Sequence, residues 1–159
     1  MMQHDQPLAY IERIRNYYQT LGYGAPYEWA CHNDVPFVPL QKPLSEARIA
    51  IVTTAAPFQP DKGDQGPGAP YNGEPKFFQV YATSIDPFPD VRIAHIAIDR
   101  AHTTASDIAS YFPLKALMKL ASAGYIGSVS PRFYGLPTNR SQRTTRNIDS
   151  PGLLAFAEK

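Results

Sequence analysis

Residues 95–135 read HIAIDRAHTTASDIASYFPLKALMKLASAGYIGSVSPRFYG, and this stretch decides the fold that the sequence predicts. The overlapping segment Val91–Ile98 is rich in β-branched residues and apolar on both faces, as in a parallel strand covered on both sides. After a polar turn, apolar side chains recur at helical spacing over Leu114–Ala121. Tyr125–Ser130 has the composition of a second strand, which we expect Pro131 to stop. The order predicts a βαβ unit.

Two further segments extend the predicted sheet. Arg48–Thr54 (RIAIVTT) is the clearest strand of the chain, and Lys76–Thr83 (KFFQVYAT) has strand composition without an evident partner. We therefore expect an α/β fold: a small three-layer, Rossmann-like domain with a short, mostly parallel sheet and helices on its faces. Such a sheet leaves an uncovered edge, and association with another chain is the simplest remedy.

The chain has 159 residues and is 43% hydrophobic, which suits one core, so we expect a single α/β domain over 1–159. An amphipathic pattern predicts a helix over Pro7–Leu21, and an irregular strap follows it within residues 1–47. Residues 48–135 form the predicted βαβ core. Residues 136–159 form a C-terminal tail or helix.

Two polar stretches have open interpretations. Gln59–Pro75 is dense in glycine and proline, which predicts a long surface loop, either a binding loop or an excursion without a role. Arg140, Arg143 and Arg146 recur every three residues, so they share one face if that stretch is helical. That face is either solvated or suited to an acidic partner surface.

Composition narrows the function classes. The formal net charge of +1 favours neither nucleic acid nor an anionic membrane as a partner. The single cysteine, Cys31, excludes an intramolecular disulfide and a cysteine-rich metal site. Residues 1–6 lack the pattern of a signal peptide, and no stretch has the length of a membrane span. We therefore expect a cytoplasmic protein without a cofactor or metal of its own.

Three segments carry a resemblance to a known family: LGYGAPYEWA (21–30), PLSEARIAIVTTA (43–55) and the run from Arg92 to Gly135. In order and spacing they are similar to the N-terminal part of the selenoprotein B subunit of glycine/sarcosine/betaine reductase. Relatives of that subunit include a D-proline reductase subunit. The resemblance covers most of residues 10–135, and its most specific pieces are the strand ending in VTT and the stretch from SYFPL to GYIGSVSPRFYG.

The resemblance implies a reductase scaffold and part of a small-molecule pocket. In that family the redox cysteine or selenocysteine lies in the C-terminal half, an element that the sequence up to Lys159 does not contain. Cys31 lies outside the redox motif. The expectation is a subunit that is inactive on its own, in a hetero- or homo-oligomer with a chain carrying the Cys/Sec half. The alternative is a non-catalytic binding or assembly protein that retains the scaffold.

Hydroxyl and guanidinium groups follow or end the predicted strands. Thr53, Thr54, Ser128 and Ser130 can donate hydrogen bonds to a small anionic substrate, and Arg132 can hold a carboxylate with two parallel bonds. We expect these groups, together with Asp99 and His102, to share one crevice, because the carboxyl ends of parallel strands meet at one edge of a sheet. The ordinary alternative for Arg132 is a surface ion pair.

Titratable residues of the polar turn form the second candidate group. Asp99 and His102 follow the Val91–Ile98 strand, and Asp107, which the resemblance favours as a positioning residue, precedes the helix. Asp99 is either a ligand-binding residue or the cap of a turn or helix. His95 lies within the strand and is either a buried structural histidine or a deeper site residue. Together these four residues also have the donor atoms of a metal site, though not a compact ligand motif. Cys31, beside His32, is either a reactive thiol or an inert one.

Overall fold

The structure is a computed structural model that describes residues 9–25, 33–35, 37–66, 72–93, 106–138 and 141–158. The chain divides into two compact units, residues 1–37 and residues 38–159. The sequence, by contrast, predicts one domain with its first internal boundary at residue 47.

The first unit contains helix α1, Tyr10–Thr20. It lies within the range predicted from the amphipathic pattern, and the helix is confirmed over its described residues. The turn after it places Gly22 at φ 77°, a left-handed conformation that glycine adopts without a steric penalty. Tyr18 makes edge-to-face ring contacts with Tyr17 and Tyr23, at centroid distances of 5.7 and 5.6 Å.

The second unit combines short strands with helices. Its strands are β1 (Arg48–Ile49), β2 (Val52–Thr53), β3 (Ala56–Pro57), β4 (Tyr81–Ser84), β5 (Val91–Arg92), β6 (Ser128–Val129) and β7 (Arg132–Gly135). Its helices are the 3₁₀ turns Leu44–Glu46 and Ile108–Ser110, α2 (Leu114–Ser122) and the C-terminal helix of residues 142–157. The last consists of α3 (Gln142–Thr144), a π-helical turn (Thr145–Asp149) and α4 (Ser150–Ala157).

These strands form small sheets of mixed direction. β1 pairs in parallel with β6, and β2 pairs in parallel with β7. β4 lies antiparallel to β7 on its other side, and β3 lies antiparallel to β5. The chain is therefore a mixed helix and strand protein whose small sheets include parallel pairs.

Two strand predictions need correction. The Val91–Ile98 segment does not begin as a parallel strand, because β5 pairs antiparallel with β3. Pro131 does not end the sheet either, since the chain resumes as β7 directly after it. Proline removes one donor but keeps its acceptor, and the Pro131 carbonyl accepts a hydrogen bond from the Ile85 amide at 3.1 Å.

The most regular part of the second unit is residues 48–55, which we call the strand segment. From Arg48 to Ala55 exposed residues alternate with residues that are buried or, at Ile49, half-buried. This period of two is that of an extended chain with one face against a core. The buried side, with Ile51 and Thr53, is the core face. The other side, with Arg48 and Val52, is the second face.

A compact apolar cluster lies against the core face. Its fully buried members include Phe112, Leu114 and Phe133, which are 0–1% exposed. The rings of Phe112 and Phe133 meet edge to face at a centroid distance of 4.7 Å. Phe112 lies just before α2 and Leu114 is its first residue. Burial of these two side chains holds the start of α2 against the strands.

Local signals at the ends of α2 agree with the prediction. The helix begins directly after Pro113, and Gly124, with φ 75°, follows its end. The predicted strand Lys76–Thr83 is shorter and displaced, since the observed strand is β4. Its residues pair with β7, a contact between distant parts of the chain.

The glycine- and proline-rich loop is partly described. Over residues 59–66 and 72–75 it contains neither helix nor strand, as predicted, and Gln65 within it is 6% exposed. The Gln65 side-chain amide donates to the carbonyls of Gln59 and Lys62, so this part of the loop is held by its own hydrogen bonds. None of the described helices combines the length and apolar character needed to cross a membrane.

Candidate functional site

The candidate site lies around the carboxyl end of β2. Thr53 is 6% exposed there, and its hydroxyl donates to the Tyr111 carbonyl at 3.3 Å. The same hydroxyl accepts a hydrogen bond from the Ala55 amide at 3.0 Å. Thr53 therefore joins the strand end to the residues before α2, and its hydroxyl already has protein partners on both sides.

Two tyrosines converge on this end of the strand segment. The Tyr81 hydroxyl donates to the Ala55 carbonyl at 2.6 Å, and burial raises the pKa of Tyr81 to about 12. The Tyr111 hydroxyl donates to the Val91 carbonyl at 3.3 Å. Burial raises the pKa of Tyr111, while nearby Arg92 opposes that rise. Both phenols stay protonated at neutral pH and act there as hydrogen-bond donors.

Arg92 links this region to the glycine- and proline-rich loop. Its guanidinium forms two hydrogen bonds with the Asp90 carboxylate, one of them 2.8 Å long, and donates to the Gln65 carbonyl at 2.7 Å. It also lies over the Phe58 ring, 4.7 Å from the centroid. Hydrogen bonding to Arg92 lowers the pKa of Asp90. The arrangement fixes the described part of the loop to β5.

Asp107 has a structural role that its sequence position did not specify. Its carboxylate accepts a hydrogen bond from the Ala109 amide at 2.9 Å, which caps the 3₁₀ turn Ile108–Ser110. The Ser110 hydroxyl donates to the Asp107 carbonyl at 2.7 Å. This cap sets the turn that leads into Tyr111 and α2.

Several predicted site residues lie outside the described parts of the chain. These are His95, Asp99, His102 and Cys31. Val91 precedes residues 94–105 and Tyr111 follows them. The Tyr111 hydroxyl donates a hydrogen bond to the Val91 carbonyl, so the chain on the two sides of this range comes together. Within the described ranges no group of three or more His, Cys, Asp or Glu side chains is arranged to hold a metal ion.

The remaining predicted residues lie on the second face. Phe133 packs in the core, so its neighbours Arg132 and Tyr134 point to the opposite side of β7. Thr54 alternates with buried Thr53 and is exposed. Ser128 pairs with exposed Arg48 in the register of β1 and β6. The face thus carries hydroxyl and guanidinium groups from several strands.

The Ser130 hydroxyl on this face is already engaged. Ser130 is 7% exposed, and its side-chain oxygen accepts a hydrogen bond from the Arg132 amide at 3.3 Å. This bond spans Pro131 and shapes the step between β6 and β7. Ser130 therefore makes a turn contact within the chain.

The expectation of one shared crevice is wrong for the described residues. Ser128 lies level with Arg48, whereas Thr53 lies level with Gly135. These levels differ by five residues of the strand segment, about 16 Å at roughly 3.3 Å per residue. Thr53 also faces the core while Thr54 and Arg132 face away from it. The predicted residues form two groups, one on each side of the strands.

Sequence reasoning missed Tyr81, Tyr111 and Arg92. Tyr81 reads as an ordinary strand residue and Tyr111 as part of the helix start, so neither has a local signal of its role. Their hydroxyls reach carbonyls 26 and 20 positions away in the chain. A weak signal is available for Arg92, because the Asp90-x-Arg92 spacing places opposite charges close together at the start of a strand.

The fold and site define a mixed α/β protein with parallel strand pairs and hydrogen-bonding groups at a strand end. Comparison of the chain with protein-family models, with curated proteins and with solved structures finds no match.

Proposed function

We propose that the chain is a subunit of a glycine/betaine/sarcosine/proline reductase-like complex. It supplies the scaffold and part of a small-molecule pocket, and a partner chain carries the redox cysteine or selenocysteine. The proposal includes the finer fold expectation, a small three-layer, Rossmann-like domain, and a cytoplasmic location.

One observation carries this proposal. The two most family-like segments, residues 43–55 and the run up to Gly135, lie side by side in the structure through the β1–β6 and β2–β7 pairs. Both pairs are parallel, the direction that a Rossmann-like scaffold requires. Segments that resemble one family in order and spacing also form one structural unit, which supports a shared scaffold.

The pocket of this proposal lies at the carboxyl end of β2. Open α/β sheets bind ligands outside the carboxyl ends of their strands. Thr54 is exposed beside this end, and Tyr111 connects the strand end to the chain on both sides of residues 94–105. Residues 94–105 contain Asp99 and His102, which remain candidate substrate-binding residues.

In the redox step a thiolate or selenolate attacks the carbon of the substrate's C–N bond and displaces the amine with its electron pair. A dithiol donor then supplies the two electrons that release the substrate carbon and regenerate the nucleophile, and the donor becomes a disulfide. The single cysteine of the sequence, Cys31, lies outside the family's redox motif. In this proposal the nucleophile therefore comes from the partner chain, and this chain binds and orients the substrate.

A non-catalytic binding protein is the second candidate. The bonds of Thr53, Asp107 and Ser130 within the chain favour it, because these polar groups have structural partners. In this candidate the scaffold is retained for assembly alone.

Purification of the tagged chain from its source cells, with its partner identified by mass, tests the proposal. The complex is then assayed with glycine, betaine, sarcosine or proline and dithiothreitol. We expect turnover by the complex, none by the isolated chain, and no effect of Cys31→Ser. Thr54→Val should raise the KM for the substrate. The control variant Ser122→Ala, at an exposed position of α2, should leave KM unchanged.

Two results would reject the reductase proposal. One is a stable complex whose partner contains no reactive cysteine or selenocysteine, which favours the assembly protein. The other is turnover by the isolated chain that Cys31→Ser abolishes, because the nucleophile would then belong to this chain.

A further inference from the structure

We infer that the second face of the strand segment is a docking surface for an acidic amphipathic helix of a partner protein. The surface consists of Arg48, Ala50 and Val52 on the strand segment, with Arg132 beside them on β7. The inference goes beyond the proposed reductase function, and it holds whichever chemistry the partner performs.

The first argument is exposure. All three strand-segment residues of the surface are exposed, and Val52 is 52% exposed. Val52 belongs to a strand in parallel pairing, and parallel strands are ordinarily covered on both faces. The core face has this cover from the apolar cluster with Phe112 and Leu114. Among the described residues, no equivalent layer lies over the strand segment on the second face.

The second argument is where cover on this face stops. Tyr134 is the register partner of Val52 on β7, yet it is 6% exposed. The C-terminal helix lies against the β4 side, where a Cβ built on Gly152 would meet the Val80 side chain at 2.8 Å. On this face the described residues therefore cover the β4 side and Tyr134, but they do not cover Val52. A second helix beside the first would complete the layer.

The third argument is charge. Arg48 is exposed and Arg132 is partly buried on this face. In the described parts of the chain the one ion pair is between Arg92 and Asp90, so neither arginine of the surface has an acidic partner there. A guanidinium at an interface pairs well with carboxylates, which selects an acidic occupant.

The shape of the surface selects a helix. Ala50 and Val52 form a narrow apolar strip with small side chains, and Arg48 and Arg132 lie beside it. An amphipathic helix covers such a strip with one apolar face, and its flanking Asp or Glu side chains reach the arginines. Helices are also the elements that cover the faces of parallel sheets in α/β proteins.

Site-specific photocrosslinking in the source cells tests this surface. In one version of the full chain p-benzoylphenylalanine replaces Val52. In the matched control it replaces Lys119, an exposed residue of α2. Mass spectrometry identifies the crosslinked peptide. We expect the Val52 position to capture a peptide with apolar residues at helical spacing and flanking Asp or Glu. The Lys119 position should not capture it.

Charge reversal then tests the role of the arginines. Arg48→Glu should reduce the Val52 crosslink about tenfold, as expected for loss of a paired interfacial charge. The milder Arg132→Gln should also weaken it, and Lys119→Glu should leave it unchanged. Arg48 is exposed, so its variant should unfold at the same temperature as the parent chain, which separates binding from folding.

Several outcomes would overturn the inference. They are the absence of a Val52 crosslink, a crosslink to a second copy of this chain, capture of a peptide without acidic residues, and a crosslink unaffected by Arg48→Glu. The reductase proposal fails separately. A helix captured at Val52 from a protein without a redox cysteine or selenocysteine keeps the docking surface and rejects the reductase.

Discussion

The core face and the second face of the strand segment share one backbone but have opposite surroundings. On the core face, Ile51 and Thr53 are buried against side chains from β7 and the start of α2. On the second face, Val52 lies between them in sequence and is 52% exposed. The strand segment therefore gains its folding energy from its core face. The other face is free for a role that folding does not require.

The largest expected effect comes from removing the centre of the core. Phe133→Ala should lower the free energy of unfolding by about 3–5 kcal/mol, because it deletes a ring that is 1% exposed. Urea denaturation measures the change. The matched variant Phe78→Ala removes a ring that is 73% exposed and should stay within about 0.5 kcal/mol. Equal losses would mean that the core is elsewhere.

A smaller loss should follow from adding one methyl group at Gly135. A Cβ at this position would lie 1.9 Å from the Tyr81 ring, so either the ring or the strand must shift to admit it. Gly135→Ala should cost about 2 kcal/mol by overpacking. In a Tyr81→Ala background the added cost of Gly135→Ala should fall close to zero. Additive losses in the double variant would place the strain elsewhere.

The phenol of Tyr81 should make stability depend on alkaline pH. Burial raises its pKa to about 12 in the folded chain, from about 10 when unfolded. The neutral phenol is therefore favoured by folding. Its contribution is complete below pH 10 and is lost as the pH rises toward 12. Two pKa units correspond to about 2.7 kcal/mol, and partial exposure of the phenol reduces the loss to less than about 2 kcal/mol.

Unfolding in urea at several alkaline pH values measures this loss. Tyr81→Phe should flatten the decline, whereas Tyr125→Phe, at a ring 69% exposed, should not. An unchanged slope in Tyr81→Phe would show that another group is responsible.

The Asp90–Arg92 contact should have a smaller effect, in acid. Hydrogen bonding to Arg92 lowers the pKa of Asp90, so its contribution is present above about pH 4 and is lost as the pH falls further. The Arg92 side chain is 27% exposed and the Asp90 side chain is 51% exposed. This exposure limits the contribution of the ion pair to the free energy of unfolding to less than about 1 kcal/mol.

Amide hydrogen exchange detects this contact locally. Asp90→Asn should speed exchange in residues 59–66, because Arg92 holds the Gln65 carbonyl. Asp61→Asn, at an exposed loop position, is the control. If neither variant changed the exchange rates of residues 59–66 from those of the parent chain, the loop would be held without Arg92.

The smallest expected effect is at the second face. Val52→Ala should change the free energy of unfolding by no more than about 0.5 kcal/mol, because its side chain has little cover. Ile51→Ala, at the adjacent buried position, should cost about 2–4 kcal/mol. A large loss from Val52→Ala in the isolated chain would remove the distinction between the two faces.

Local sequence signals predicted elements whose causes are also local. α1 and α2 follow from helical spacing of apolar residues, and Gly124 follows the end of α2 because it adopts a left-handed conformation. The strand segment follows from its β-branched composition. Each of these signals acts within a few residues, so the sequence contains all that is needed to detect it.

Pairing could not be predicted in the same way. β5 is antiparallel to β3, and β7 continues after Pro131 to pair with β2 and β4. Composition cannot distinguish a parallel strand from an antiparallel one when both are short and apolar. The direction depends on which distant segment supplies the matching backbone groups.

The sequence by itself determined where α1, α2 and the strand segment form, because spacing, composition and turn residues act locally. It also determined which side chains have the chemistry of a binding site. The tertiary structure decided where those side chains lie. Alternation along an extended strand sends Thr53 into the core and Thr54 away from it, and the register separates Ser128 from both. Register is fixed by burial of a whole face against a distant core, which no local pattern specifies.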